Sequence, residues 1–83
     1  STMSNFNNSS FSIKFNGTGN ERTLSRMDSD EVKEFLINVG RVTYEGNFVC
    51  VAYWDDTSDS LDISHENEHS LHFKSVIEDL MHN

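Results

Sequence analysis

Phe11, Ile13 and Phe15 alternate with Ser12 and Lys14, the period-two pattern of a strand that buries one face. Asn16, Gly17, Thr18 and Gly19 follow, residue types that accept positive φ, and they predict a turn. A short second strand is expected over Arg22 to Arg26, with Leu24 as its one inward residue. Asp28, Ser29, Asp30 and Glu31 make a capping-box arrangement. Beyond it Val32, Phe35, Leu36 and Val39 fall at i, i+3, i+4 and i+7, and Gly40 stops the run. This predicts an amphipathic helix of about three turns.

The next segment changes period. Arg41 to Tyr44 and Phe48 to Trp54, rich in β-branched and aromatic residues, flank Glu45, Gly46 and Asn47 and predict a β-hairpin. The longer strand is apolar on both sides, with Phe48, Cys50, Ala52 and Trp54 on one and Val49, Val51 and Tyr53 on the other, as for a strand covered on both faces. Asp55 to Asp59 supply a turn, and Leu61 and Ile63 a third strand of the meander. Leu71 or Phe73, Val76, Ile77, Leu80 and Met81 return to helical spacing and predict a C-terminal helix that starts near Ser70.

The order β-β-α-β-β-β-α predicts an α+β two-layer sandwich: an antiparallel sheet of four to five strands with both helices on one face. Val49, Val51 and Tyr53 then form an apolar patch on the other face, to be covered by a second copy or by the N-terminal segment through Phe6.

Length changes the picture little. At 83 residues the chain is one domain, residues 10–83, with net stability of roughly 5 kcal/mol or less. Ser1 and Thr2 ahead of Met3 read as a tag remnant, and residues 1–9 as a loose leader. One cysteine, Cys50, allows no internal disulfide, and no signal-type apolar run opens the chain. The expected location is therefore intracellular and cytoplasmic, an infected host cell included.

Charge changes it more. Residues 1–41 carry five basic and five acidic side chains, whereas residues 42–83 carry one basic and nine acidic, so the whole net charge of −8 belongs to the second half. Residues 55–68 hold six carboxylates and neither Lys nor Arg. A field of one sign attracts basic surfaces and repels nucleic acid and anionic membranes. Arg22, Arg26 and Arg41 are too few, and too interleaved with acids, to grip a duplex.

Catalytic and metal chemistry find little support. An EF-hand count from Asp55 places Thr57, Asp59 and Glu66 at ligand positions, but Ser60 stands where glycine is required and Asp62 where an apolar residue belongs. His65, His69 and His72 have the spacing of one helical face only if the helix begins before His65, and the apolar pattern starts it later. They read as an exposed, pH-sensitive loop and helix start. Cys50, between Phe48 and Ala52 in the alternation, reads as a small core residue and not as a nucleophile. Gly17 and Gly19 lack the Lys and hydroxyl residue of a phosphate loop.

The chain is thus expected to be a binder without cofactor, metal or enzymatic activity. It is expected to inhibit a nucleic-acid-binding protein or enzyme by covering its basic surface. In that role Asp55, Asp56, Asp59, Asp62, Glu66 and Glu68 imitate the spaced phosphates of a nucleic acid, and Tyr53 or Trp54 is the anchor. Small acidic domains are common among phage inhibitors of restriction or CRISPR systems and among nuclease immunity proteins, an analogy of class and not of fold. The alternatives are a homodimeric structural or regulatory subunit and a weak divalent-cation-binding protein.

Overall fold

A computed structural model describes residues 7–16 and 19–82. Five strands form one antiparallel sheet: β1 (Phe11–Phe15), β2 (Glu21–Thr23), β3 (Gly40–Tyr44), β4 (Asn47–Asp55) and β5 (Ser60–Ile63), in the spatial order β2-β1-β3-β4-β5. Two helices, α1 (Ser29–Ile37) and α2 (Glu68–Met81), complete the β-β-α-β-β-β-α order of an α+β fold. The second strand is shorter and earlier than the sequence pattern suggests. Leu24–Arg26 form a 3-10 turn that drops Leu24 into the core.

One cluster holds the two layers together. Phe11, Ile13, Val42, Cys50, Ala52, Trp54 and Leu61 from the sheet meet Val32, Phe35, Leu36, Phe73 and Ile77 from the helices. Among the described residues no helix lies on the opposite side of the sheet, where Phe48 and Tyr53 are exposed. On α1, Asp28 caps the helix by accepting from the Glu31 N–H at 2.8 Å, but the capping box is not closed, because the Glu31 carboxylate pairs with Arg22 at 2.6 Å. On α2 the box is complete: Asn67 Oδ1 accepts from the Ser70 N–H and Ser70 Oγ accepts from the Asn67 N–H.

Three local features depart from the sequence reading. The helix α1 ends two residues before Val39, and it is Val39, at φ 66°, that takes the left-handed position usual for glycine after a helix, its N–H donating to the Leu36 carbonyl. Gly40 instead opens β3, pressed against the core. Second, β4 carries a bulge. Val42 pairs with Cys50 and Thr43 with Phe48, so Val49 is the extra residue; it turns into the core, and Phe48 is left 43% exposed on the solvent side. The solvent-side apolar residues are therefore Phe48, Val51 and Tyr53, and Val49 is not among them. Third, Asn7 and Asn8, within the segment expected to be loose, are hydrogen-bonded to the domain. Asn7 caps a 3-10 turn, its N–H donates to the Tyr44 hydroxyl at 3.0 Å, and the Asn8 amide oxygen lies 3.0 Å from His72 Nε2. Phe6, the proposed cover of the apolar patch, and Gly17 and Thr18 of the first turn lie outside the described residues.

The β3–β4 hairpin is closed by Glu45 and Gly46, both at positive φ (51° and 81°), the two-residue turn whose twist matches that of the strands.

Candidate functional site

Strand β5 is an edge of the sheet, and the six carboxylates of residues 55–68 surround it in three groups. Asp62 sits on β5 directly opposite Tyr53 of β4, and Asp55 lies two pairs further along opposite Ser60, so these two acids share the solvent side with Tyr53. Tyr53 is 41% exposed. Asp55 also shapes the turn, because its Oδ1 accepts from the Thr57 N–H at 2.9 Å and the Ser58 N–H at 3.4 Å.

Asp56 and Asp59 turn toward the helices instead. Asp56 Oδ1 lies 2.9 Å from Lys33 Nζ on α1 and accepts from Trp54 Nε1 at 3.2 Å. The lysine, by hydrogen bond and charge, and secondarily the indole N–H, hold the Asp56 carboxyl below the usual aspartate range against a smaller opposing effect of desolvation. Asp59, at φ 56°, meets His82 Nε2 at 2.9 Å just past the end of α2. Glu66 and Glu68 form the third group, at the far end of β5 where the chain enters α2, with Glu68 in the first turn of the helix.

The acids therefore follow an edge and do not crowd onto one ridge. Asp62 and Glu66 have no ion-pair partner among the described residues, and neither Lys nor Arg occurs between Asp55 and Phe73. The edge is also guarded: the Leu61 N–H donates to Glu78 Oε2 at 3.2 Å, which occupies a donor that an added strand would use.

Trp54 is placed differently from the expectation for an anchor. It is 1% exposed and belongs to the core with Cys50 and Ala52, leaving Tyr53 as the surface aromatic of the pair. The histidines stand apart. His65 precedes α2 and lies edge-on to Phe48 with its Nδ1 2.7 Å from Ser64 Oγ, His69 packs on Tyr44 and His72 on Phe11. No group of three His, Cys, Asp or Glu side chains among the described residues is arranged to hold a metal. Cys50 is fully buried, and burial pushes its thiol up to about 11.

Sequence reasoning missed Phe48 and Arg41. Arg41 carries its guanidinium 4.3 Å over the Phe48 ring on the solvent side, a contact that exists only because the bulge turns Phe48 outward. Among the described residues no helix is long and apolar enough to cross a membrane. No protein-family model, curated protein or solved structure matches this chain.

Proposed function

We propose that this protein is a non-catalytic binder that uses the acidic margin of β5 to cover a basic surface of a nucleic-acid-binding protein or enzyme, and so inhibits it. The observation that carries the reading is the pairing of exposed Tyr53 with Asp62, in a margin where Asp62 and Glu66 have no ion-pair partner among the described residues. The strand Ser60–Ile63 itself spans roughly 10 Å, with acids before, on and after it, so the margin can meet more than one cationic side chain. In this reading Tyr53 contributes the buried contact area and the carboxylates speed and orient the encounter. Asp56 and Asp59 contribute less, since each already has a partner within the domain.

The test is capture of proteins from a native lysate on the immobilised domain at low salt, followed by elution with duplex DNA or RNA. Nucleic acid is expected to displace the captured protein, and the Asp62→Lys, Glu66→Lys double variant to capture none of it. Undiminished capture by that variant overturns the proposal. A second reading, self-association through the solvent side of the sheet, is favoured by exposed Phe48 and Tyr53 flanking Val51. Light scattering across a concentration series tests it, a constant monomer mass counting against it.

A further inference from the structure

We propose that a hollow on the solvent side of the sheet, between Lys14 of β1 and Arg41 of β3, binds a small ligand that carries an oxyanion on an apolar body. The hollow has a volume of about 410 Å³, within the range of small-ligand sites, and its wall includes Asn16, Val39 and Val51.

Lys14 and Arg41 are register partners on adjacent strands, so both cations rise from neighbouring positions on one face. In a protein of net charge −8 neither forms an ion pair among the described residues. Glu21, next to Lys14 in the ladder on the other side, makes no ion pair with it. Arg41 lines the hollow and rests its guanidinium carbon 4.3 Å from the centre of the Phe48 ring, a contact that leaves its charge without a carboxylate partner among the described residues.

The apolar wall points the same way. Val39 is β-branched and sits at φ 66°, where such residues are rarely found and where glycine would be unstrained. Core packing does not account for this choice, because neither Val39 nor Val51 belongs to the buried cluster or to the residues packed against it. Both line the hollow. Strained backbone positions cluster at ligand-binding sites, and here the strain is held by a valine that faces a hollow. The two cations recognise the oxyanion, and the two valines receive the rest of the ligand. This site lies on β1, β3 and β4 and is independent of the acidic β5 margin.

The experiment is titration of the 15N-labelled protein, followed by amide chemical shifts, with phenyl phosphate, benzoate and inorganic phosphate at constant ionic strength. Phenyl phosphate or benzoate is expected to give saturable shifts at Lys14, Val39, Arg41 and Val51, at least about tenfold tighter than inorganic phosphate, and the better of the two identifies the oxyanion. Lys14→Gln and Arg41→Gln are each expected to weaken the better probe about tenfold, while Lys14→Arg retains binding. Val39→Gly is expected to melt at or above the parent temperature and yet bind the aryl probe several-fold more weakly. The same spectra report whether each variant is folded. Shifts linear in concentration for all three anions, inorganic phosphate binding as tightly as the aryl anions, or unchanged binding by Arg41→Gln or Val39→Gly would each overturn the proposal.

Discussion

Gly40 passes so close to Ile13 that a Cβ built on it would stand 2.6 Å from the Ile13 Cγ2 methyl, and 3.1 Å from Leu36 Cδ2. Ile13 is fully buried and, being β-branched, has little freedom at χ1 to move aside. Gly40→Ala is therefore expected to destabilise the fold by about 1–3 kcal/mol through overpacking. In a domain of this size each kcal/mol lowers the melting temperature by roughly 4–8 °C. Urea denaturation checks the magnitude, and a double-mutant cycle checks the cause. In an Ile13→Ala background the alanine at 40 has room, so its cost is expected to fall well below that in the parent.

The Lys33–Asp56–Trp54 contact gives the acid limb of stability a defined contributor. Asp56 has its carboxyl pKa lowered in the folded state, chiefly by the lysine. Its stabilising contribution is thus fully present above the unfolded value, near 3.9, and is lost as pH falls through the lower folded value. Because the pair is exposed, added salt weakens it. The Asp56 carboxyl resonance is expected to titrate below those of unpaired aspartates, and Lys33→Met to return it toward the ordinary range. Asp56→Asn should flatten the stability profile below pH 4. An Asp56 midpoint that does not move in Lys33→Met contradicts the assignment.

The layers of this fold are legible in the sequence because most elements bury one face and expose the other, so their periods show. Strand β4 is where this fails. Phe48 through Trp54 is apolar throughout, and no polar position marks the phase, so a one-residue bulge that sends Val49 inward and Phe48 outward leaves no trace in the pattern. The Arg41–Phe48 stack is invisible for the same reason. Trp54 is the reverse case: its alternation with Cys50 and Ala52 already implies burial, which is incompatible with an anchor at the surface. The helix stop departs from the sequence pattern because Val39 and Gly40 exchange their usual parts. Glycine is needed for its missing Cβ beside Ile13, and valine is left to hold the positive φ. Of the acidic segment, its edge position follows from the meander, but the division of its carboxylates between the solvent side and the helix side depends on Lys33 and His82, far away in sequence.

The Asn67–Ser70 box fixes where α2 begins, and with it the approach of the acidic segment to the helix. Ser70 is fully buried and its hydroxyl accepts from the Asn67 N–H at 2.8 Å. Asn67→Ala removes the acceptor for the Ser70 N–H and is expected to cost about 1 kcal/mol in urea denaturation. Asn67→Asp keeps that acceptor and is expected to cost less. Equal losses in both variants would show that the amide N–H, which donates to the Val49 carbonyl at 3.4 Å, matters more than the cap.

Cys50 links burial to the alkaline limb. Its thiol is raised to about 11 by desolvation, so the folded chain keeps a proton that the unfolded chain releases near 8.5. Below the unfolded value both states are protonated and the group is silent. Between the two values unfolding releases a proton, so stability is expected to fall as pH rises, and to level off above the folded value. Cys50→Ala lacks this component, though it loses about 1 kcal/mol at every pH from poorer packing. Urea midpoints of both proteins at pH 7 and pH 10 isolate the thiol, since lysines and tyrosines titrate equally in each: the gap between parent and variant should close or reverse at pH 10. The same burial predicts that a disulfide reagent at pH 8 modifies Cys50 only at the rate at which the protein opens. Rapid modification of the folded protein, or a gap independent of pH, would mean that solvent reaches the sulfur between the sheet and its helices.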